Sequence, residues 1–237
     1  MGADGSLTAK ALESLELFEG LSPAALGDVL ESARVRRLRR DTRVFSQGDA
    51  DARAHALISG GVRIAQSGSD GAQIVMRFIA PGEMFGTVAL FTDGRYPADA
   101  VTLLDSVEAS WSEADLFDLM GRHPRIAVNV IRVIGRRLQE VQDRLREVST
   151  QRVERRVARA VLRLLRQAGQ GLNPESGVTI AFPLRRKDVA DVAGTTLHTA
   201  SRILTAWEKA GLLASHNRRL TVRQPSEILR IAEDSAD

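Results

Sequence analysis

Apolar residues at the start of the chain recur at helical spacing. Over residues 12–34, Leu15, Leu17, Phe18 and Leu21 make a short helical lead-in, and Ser22-Pro23 supplies the cap and first position of a helix over Ala24–Ala33. From about Val35 to Trp111 the spacing changes to short runs, among them Thr42–Phe45, His55–Ser59, Val62–Gln66, Ile74–Ile79 and Ala100–Leu104. Turn signals separate them: Gln47-Gly48-Asp49, Ser59-Gly60-Gly61, Gly68-Ser69-Asp70-Gly71, Ala80-Pro81-Gly82 and Thr92-Asp93-Gly94. Several short strands at such spacing predict an antiparallel barrel or sandwich.

Helical spacing returns over 112–121, capped by Ser112, and a longer helix begins near Pro124. In it Ala127, Ile131, Ile134, Leu138, Val141, Leu145 and Val148 follow the alternating four-three spacing of a coiled-coil seam, while Arg136, Arg137, Gln139, Glu140, Gln142, Asp143, Arg144 and Arg146 fill the outside. So narrow a seam fits a partner helix better than packing on its own domain. A third helix, about Gln151 to Ala168, places Val153, Val157, Ala160, Val161, Leu164 and Leu165 on one face. A loop over Gly169–Pro174 and a strand over Val178–Leu184 follow.

Residues 185–210 read as two short helices joined by a glycine turn. Val189, Ala190 and Ala193 give the first helix its small apolar face. Gly194 allows a positive φ, and Thr195 or Thr196 caps the next helix. There Ala200, Ile203, Leu204 and Trp207 form the buried stripe, leaving Leu197, His198, Ser201 and Arg202 on the free face. Such a helix has the geometry that enters a DNA major groove. Leu212-Leu213-Ala214, a turn at His216-Asn217 and Leu220-Thr221-Val222 then form a hairpin with Arg218 and Arg219 at its tip, which completes a winged helix-turn-helix.

Charge supports this reading. The chain carries +3 overall, but from Thr150 onward 15 Lys and Arg face 9 Asp and Glu, a local +6, and the remainder is −3. A polyanion binder or a set of solvated arginine-rich helices both fit that excess. The absence of cysteine excludes disulfides, thiolate redox switches and cysteine-held zinc or iron–sulfur clusters. No run approaches the roughly 18 apolar residues of a membrane span. The stretch Met1–Ser6 has no basic region leading into an apolar one, so no signal peptide is expected and a cytoplasmic location is. No phosphate-binding glycine loop, nucleophile elbow or histidine pair at metal-ligand spacing supports catalysis, so a non-enzymatic protein is expected.

The order of barrel, long helix and winged helix resembles the cyclic-AMP receptor protein and fumarate-nitrate regulator superfamily of bacterial transcription factors. The motifs that carry it are Gly82-Glu83-Met84-Phe85-Gly86, Arg137-Leu138-Gln139 and Thr199-Ala200-Ser201-Arg202-Ile203-Leu204. The resemblance implies an α+β protein: an N-terminal antiparallel β-roll of the cyclic-nucleotide-binding kind (1–121), a long dimerisation helix (122–149) and a C-terminal winged helix-turn-helix (150–237). It also implies a homodimer on a palindromic double-stranded DNA operator, with RNA polymerase as a further partner and control by a small effector. The seam then comprises Ile131, Ile134, Leu138, Val141, Leu145 and Val148. The DNA contacts fall to Arg185, Thr195, Thr196, Leu197, His198, Thr199, Ser201, Arg202, Arg218 and Arg219. His198 stands where many members carry a base-reading glutamate, and Leu197 where they carry an arginine. Two roles are open to Arg202, bidentate pairing with guanine or a phosphate contact; His198 likewise bonds a base or faces a phosphate.

By the same resemblance, the effector pocket comprises Gly86, Thr87, Val88, Tyr96, Pro97, Ala98 and Val141. Cyclic-AMP-binding relatives use a glutamate, an arginine-serine pair and a threonine; Thr87, Pro97, Ala98 and Val141 stand at those positions here, so cyclic AMP is not expected to bind. Tyr96-Pro97-Ala98-Asp99-Ala100 resembles the nitrogen-oxide-responsive members, several of which are thought to use haem; a haem would take His55 or His123 as axial ligand. A ligand-sensing subunit acting on a protein partner, and an effector-independent DNA-binding regulator, are the alternatives.

Overall fold

The computed structural model describes residues 8–69, 71–167 and 177–233. The hexapeptide at the N-terminus, Asp70 and the expected loop over 169–174 lie outside them. The chain divides into two compact units, residues 1–73 with 79–140, and residues 74–78 with 141–237.

The first unit opens with α1 (Ala9–Glu13), a 3-10 turn at Glu16–Phe18 and α2 (Pro23–Glu31). The lead-in is thus two short elements, because Leu12, Leu15, Leu17 and Phe18 all turn inward and a single continuous helix would not bury all four. Ser22 caps α2 by accepting from the Ala25 N–H, with Pro23 at the first helical position as the sequence indicates. The strands are β1 (Arg34–Leu38), β2 (Arg43–Phe45), β3 (Arg53–Ser59), β4 (Val62–Ser67), β5 (Gln73–Ile79, of which 74–78 group with the second unit) and β6 (Met84–Phe85), then, after the one-turn helix α3 (Thr87–Leu90), β7 (Asp99–Thr102) and β8 (Ser106–Ser112). They form two four-stranded sheets, in the orders β1-β8-β3-β6 and β2-β7-β4-β5. The expected antiparallel β-roll is present.

Four of these elements are not among the expected runs: β1, β6, α3 and β8, whose buried Ser106, Glu108 and Ser110 interrupt its apolar pattern. β1 is an arginine-rich edge strand whose Arg34, Val35 and Arg37 are exposed, so it lacks the alternation that marks a half-buried strand. β6 and α3 are too short to carry a period.

α4 (Glu113–Arg122) starts at a capping box in which Ser112 and Asp115 each accept from the other's backbone N–H. α5 (Pro124–Thr150) follows as one helix of 27 residues. The core of the first unit gathers Leu12, Leu17, Phe18, Leu57, Leu116, Leu119 and Ile126 around Trp111. The Trp111 ring meets Phe18 edge-on at 5.1 Å, and its N–H donates to the Val29 carbonyl at 2.9 Å. Buried Asn129 on α5 donates to the carbonyls of Leu17 (3.1 Å) and Glu19 (2.9 Å), so the start of α5 is fixed to the N-terminal turn.

The second unit contains the end of α5, then α6 (Val153–Gln167), β9 (Val178–Thr179), α7 (Arg186–Ala193), α8 (Leu197–Lys209), the hairpin β10 (Leu213–His216) and β11 (Arg219–Val222), and α9 (Pro225–Glu233). The strand expected over Val178–Leu184 pairs regularly only at Val178–Thr179, though the Ile180 and Leu184 N–H groups still reach the Leu220 and Arg218 carbonyls. Pro183, which has no N–H, interrupts any longer ladder. α9 went unrecognised in the sequence; it buries Ile228 and Ala232.

Candidate nucleic-acid interface and sensor core

The two-helix unit is built from its turn outward. Gly194 ends α7 with φ +63°, and a Cβ at that position would lie 2.9 Å from the Val148 Cγ2, so both conformation and space select glycine. Thr196 caps α8 by accepting from the Thr199 N–H at 3.2 Å; Thr195 does not. Ala200, Leu204 and Trp207 are buried and Ile203 half-buried, while Leu197, His198 and Arg202 stand exposed on the first two turns and Thr199 and Ser201 are half-buried. The Trp207 N–H donates to the Glu154 carboxylate on α6 at 3.0 Å, which fixes the back of the helix.

The hairpin turns through Asn217 and Arg218, both at positive φ (49° and 62°), the backbone that a two-residue turn of this hand demands. Arg218 and Arg219 are exposed, and neither they nor Arg202 form an ion pair among the described residues. Arg185 lies on the same side of the unit: with Arg186, Arg218, Arg219, Leu204 and Leu220 it lines a cleft of about 240 Å³ between α7, α8 and the hairpin. Its guanidinium is paired with Asp188 at 2.8 Å, and that hydrogen bond raises its pKa above the usual arginine value.

Much of the basic charge in this unit is not free for an anion. Arg186 donates to the Ser201 carbonyl (3.0 Å), the Thr205 hydroxyl (2.7 Å) and the Glu208 carboxylate (2.8 Å), and Lys187 pairs with Asp191. Glu147, nearly buried on α5, sits between Arg159 (3.0 Å) and Arg163 (2.9 Å). Burial alone would raise its carboxyl pKa, but the two guanidiniums outweigh that and hold it below the ordinary range. The local +6 therefore reduces, for an incoming polyanion, to a smaller set on α8 and the hairpin.

On α5 the seam residues Ile131, Ile134, Leu138, Val141, Leu145 and Val148 are each 44–70% exposed. Six apolar side chains in regular three-four register along one helix face form a stripe that a single chain leaves uncovered.

The first unit has a polar core that sequence reading only half found. His55 on β3 is buried, with Nδ1 2.9 Å from the Glu108 carboxylate and Nε2 3.0 Å from the Tyr96 hydroxyl. Glu108 is itself buried and also paired with Arg36. Burial pushes its carboxyl up, yet His55 and Arg36 together bring the pKa below the ordinary range. The Tyr96 oxygen accepts the Arg53 N–H at 2.7 Å, and the ring stacks on Phe45 at 3.7 Å; burial pushes its hydroxyl up to about 12. A histidine inside a run of inward-facing alanines and leucine was the signal that such partners exist, because an unpaired buried imidazole is costly.

Of the expected pocket residues, Gly86, Thr87, Val88, Tyr96, Pro97 and Ala98 lie in one continuous segment from β6 through α3 to β7. Gly86, at φ +73°, comes against both Tyr96 and His55, since a Cβ there would fall 3.2 Å from Tyr96 Cε1 and 2.8 Å from His55 Cδ2. Tyr96 and Ala98 are buried and Val88 is exposed. Val141 belongs to the second unit. His123 precedes α5 and has Nε2 2.8 Å from the Asp28 carboxylate. Among the described residues no group of three or more His, Cys, Asp or Glu is placed to hold a metal ion, and no helix is long and apolar enough to cross a membrane.

Fold and interface together define a regulator with a winged helix-turn-helix DNA-binding domain. A cyclic nucleotide-binding domain model matches residues 35–123 and a Crp-like helix-turn-helix domain model matches residues 155–231. The chain is 31% identical over 216 residues to the cyclic AMP receptor protein of Thermus thermophilus, covering 91% of this chain and 96% of the relative. It is 27% identical to the nitrogen fixation regulation protein FixK of Azorhizobium caulinodans, over 81% of this chain and 76% of that one. The structure of FixK2 from Bradyrhizobium japonicum superposes with a TM-score of 0.72 at 22% identity, covering 86% of this chain and 99% of that one, which supports the fold. The chain belongs to the Crp/Fnr family of transcription regulators.

Proposed function

We propose that two copies join along α5 and present paired α8 helices to a palindromic operator, with residues 196–202 in the major groove and Arg185, Arg218 and Arg219 on flanking phosphates. The observation that carries this is the uncovered stripe from Ile131 to Val148. It has the length and register of a coiled-coil seam, and half-sites about 34–36 Å apart need two linked recognition helices. Arg202 is the residue assigned to a guanine edge, His198 to a single bond on a neighbouring base or phosphate, and RNA polymerase is the second macromolecular partner of a regulator so placed on DNA. The division into β-roll (1–121), dimerisation helix (122–149) and DNA-binding module (150–237) is part of the same reading.

A small effector acting on the segment Gly86–Ala98 is the proposed control. The Thermus relative is named for cyclic AMP, but here Thr87, Pro97 and Ala98 stand where the family's nucleotide binders place a glutamate, an arginine and a serine. A cyclic phosphate there would lack its guanidinium, at a cost of several kcal/mol. Calorimetry with cyclic AMP is expected to show no binding; a micromolar dissociation constant contradicts the assignment. Haem is not carried forward through His55, since both ring nitrogens are already held, by Glu108 and Tyr96.

Sedimentation and mobility shift on a selected palindromic duplex test the whole. Charged replacements at Leu138 and Leu145 are expected to give monomers that no longer shift the duplex; unchanged sedimentation defeats the seam.

A further inference from the structure

A helix leaves its last carbonyls without intrahelical donors, and its C-terminus carries partial negative charge. In α7 the turn backbone satisfies only part of this set: the Thr195 N–H donates to the Ala190 carbonyl (3.0 Å) and the Gly194 N–H to Asp191 (3.2 Å). Three guanidiniums from outside the two-helix unit reach the carbonyls from Asp191 to Gly194, adding a second donor at Asp191. Arg144 on α5 donates to the Asp191 carbonyl at 2.8 Å, Arg163 on α6 to Val192 at 3.4 Å, and Arg156 on α6 to both Ala193 and Gly194 at 3.1 Å. Arg156 sends its remaining nitrogen back to the Gln151 carbonyl, just before α6, at 2.9 Å. The last turns of α5 join the same assembly through Glu147, which holds Arg163, and through Val148, which lies against Gly194.

We infer that this arginine cap, with Arg156 at its centre, is a positioning device that sets the direction of α8 relative to the end of α5. The α8 cap residue Thr196 lies two residues beyond Gly194, so the carbonyls gripped by Arg156 are the last fixed points before the recognition helix starts. All three nitrogens of Arg156 donate to backbone oxygens, which holds the plane of the guanidinium in one orientation. A planar fork is required, because one group must span two successive carbonyls and a third from another segment; a lysine ammonium keeps the charge but not that geometry. Because α5 ends in the same cluster, a change in α5 reaches α8 through these bonds.

The inference rests on the reading of α8 as the helix that meets DNA. The test uses the full chain. A randomised duplex library is selected on the wild-type protein, and anisotropy is then measured for Arg156→Lys, Arg163→Lys and Arg202→Ala on the selected duplex and on poly(dI·dC), over a series of salt concentrations well below the unfolding temperature. Arg156→Lys is expected to weaken binding to the selected duplex by about tenfold or more while leaving poly(dI·dC) affinity and its salt slope unchanged. Arg163→Lys acts in the same direction and more weakly, as its longer bond implies, and keeps the test open if the Arg156 variant does not fold. Equal loss on both duplexes overturns the positioning role: with a shallower salt slope it marks Arg156 as a phosphate contact, and with an unchanged slope as a residue needed only for folding. Wild-type affinity in both lysine variants also overturns it. If Arg202→Ala leaves the selected duplex untouched, the failure lies in the reading of α8, and the inference falls with it.

Discussion

Single residues here divide into those spent on the fold and those left free for a ligand. Among the described residues Arg202, Arg218 and Arg219 have no ion-pair partner, whereas Arg156, Arg159, Arg163 and Arg186 are consumed internally, which composition could not distinguish. Arg202→Ala is expected to cost about 1–3 kcal/mol of operator affinity and to relax preference at one base position, as a guanine contact would. If binding instead falls uniformly across sequences, Arg202 touches phosphate. Glu147→Gln strands two guanidiniums that are each about a quarter exposed, and should lower stability by about 1–2 kcal/mol in denaturant unfolding followed through Trp207. The Glu147 and Glu108 carboxyls bind protons less readily folded than unfolded. Their contribution is therefore complete above the ordinary carboxylate range and is lost as pH falls through it toward the lower folded values. Tyr96 runs the other way: its neutral form is favoured in the fold, so that contribution holds below about pH 10 and is lost as pH rises through about 12. As the chain's single tyrosine, its phenolate band can be titrated directly; a midpoint near 10 contradicts the buried pairing with His55 and Arg53.

Elements were legible in the sequence where a period was long or a stop signal strong. α5, α6, α7 and α8 fall close to their expected spans because each repeats an apolar stripe over two or more turns and meets a cap such as Thr196 or Gly194. Strands β2 to β5 and β7 were found within a few residues because turn glycines bracket them. What escaped follows a physical pattern as well. The edge strand β1 is arginine-rich and mostly exposed, the one-turn helix α3 is too short for periodicity, and α9 buries only Ile228 and Ala232, too few positions to mark a helical stripe. The candidate interface was readable because its exposed and buried residues alternate on one helix. The partners of His55 were not, since Glu108 comes to it only through the pairing of β8 with β3 and Tyr96 only through the chain between α3 and β7. Helix ends give a direct check. Thr196→Ala removes the α8 cap and should cost about 1 kcal/mol of thermal stability, whereas Thr195→Ala, which disturbs no cap, should cost much less.

For the whole molecule, the governing fact is that one helix, α5, carries both an uncovered apolar stripe and the groups that hold the DNA-reading turn. In the proposed reading, a dimer formed along that stripe presents two α8 helices to one duplex, and a small effector acting on Gly86–Ala98 controls operator affinity. The most direct test of the central claim is the stoichiometry and span of the complex on a duplex selected by the protein itself, measured by sedimentation with a parallel footprint. Two chains per duplex, protecting symmetric half-sites about one helical turn apart, is the predicted result. One chain per duplex, with a single protected half-site and no dimer in free solution, contradicts it.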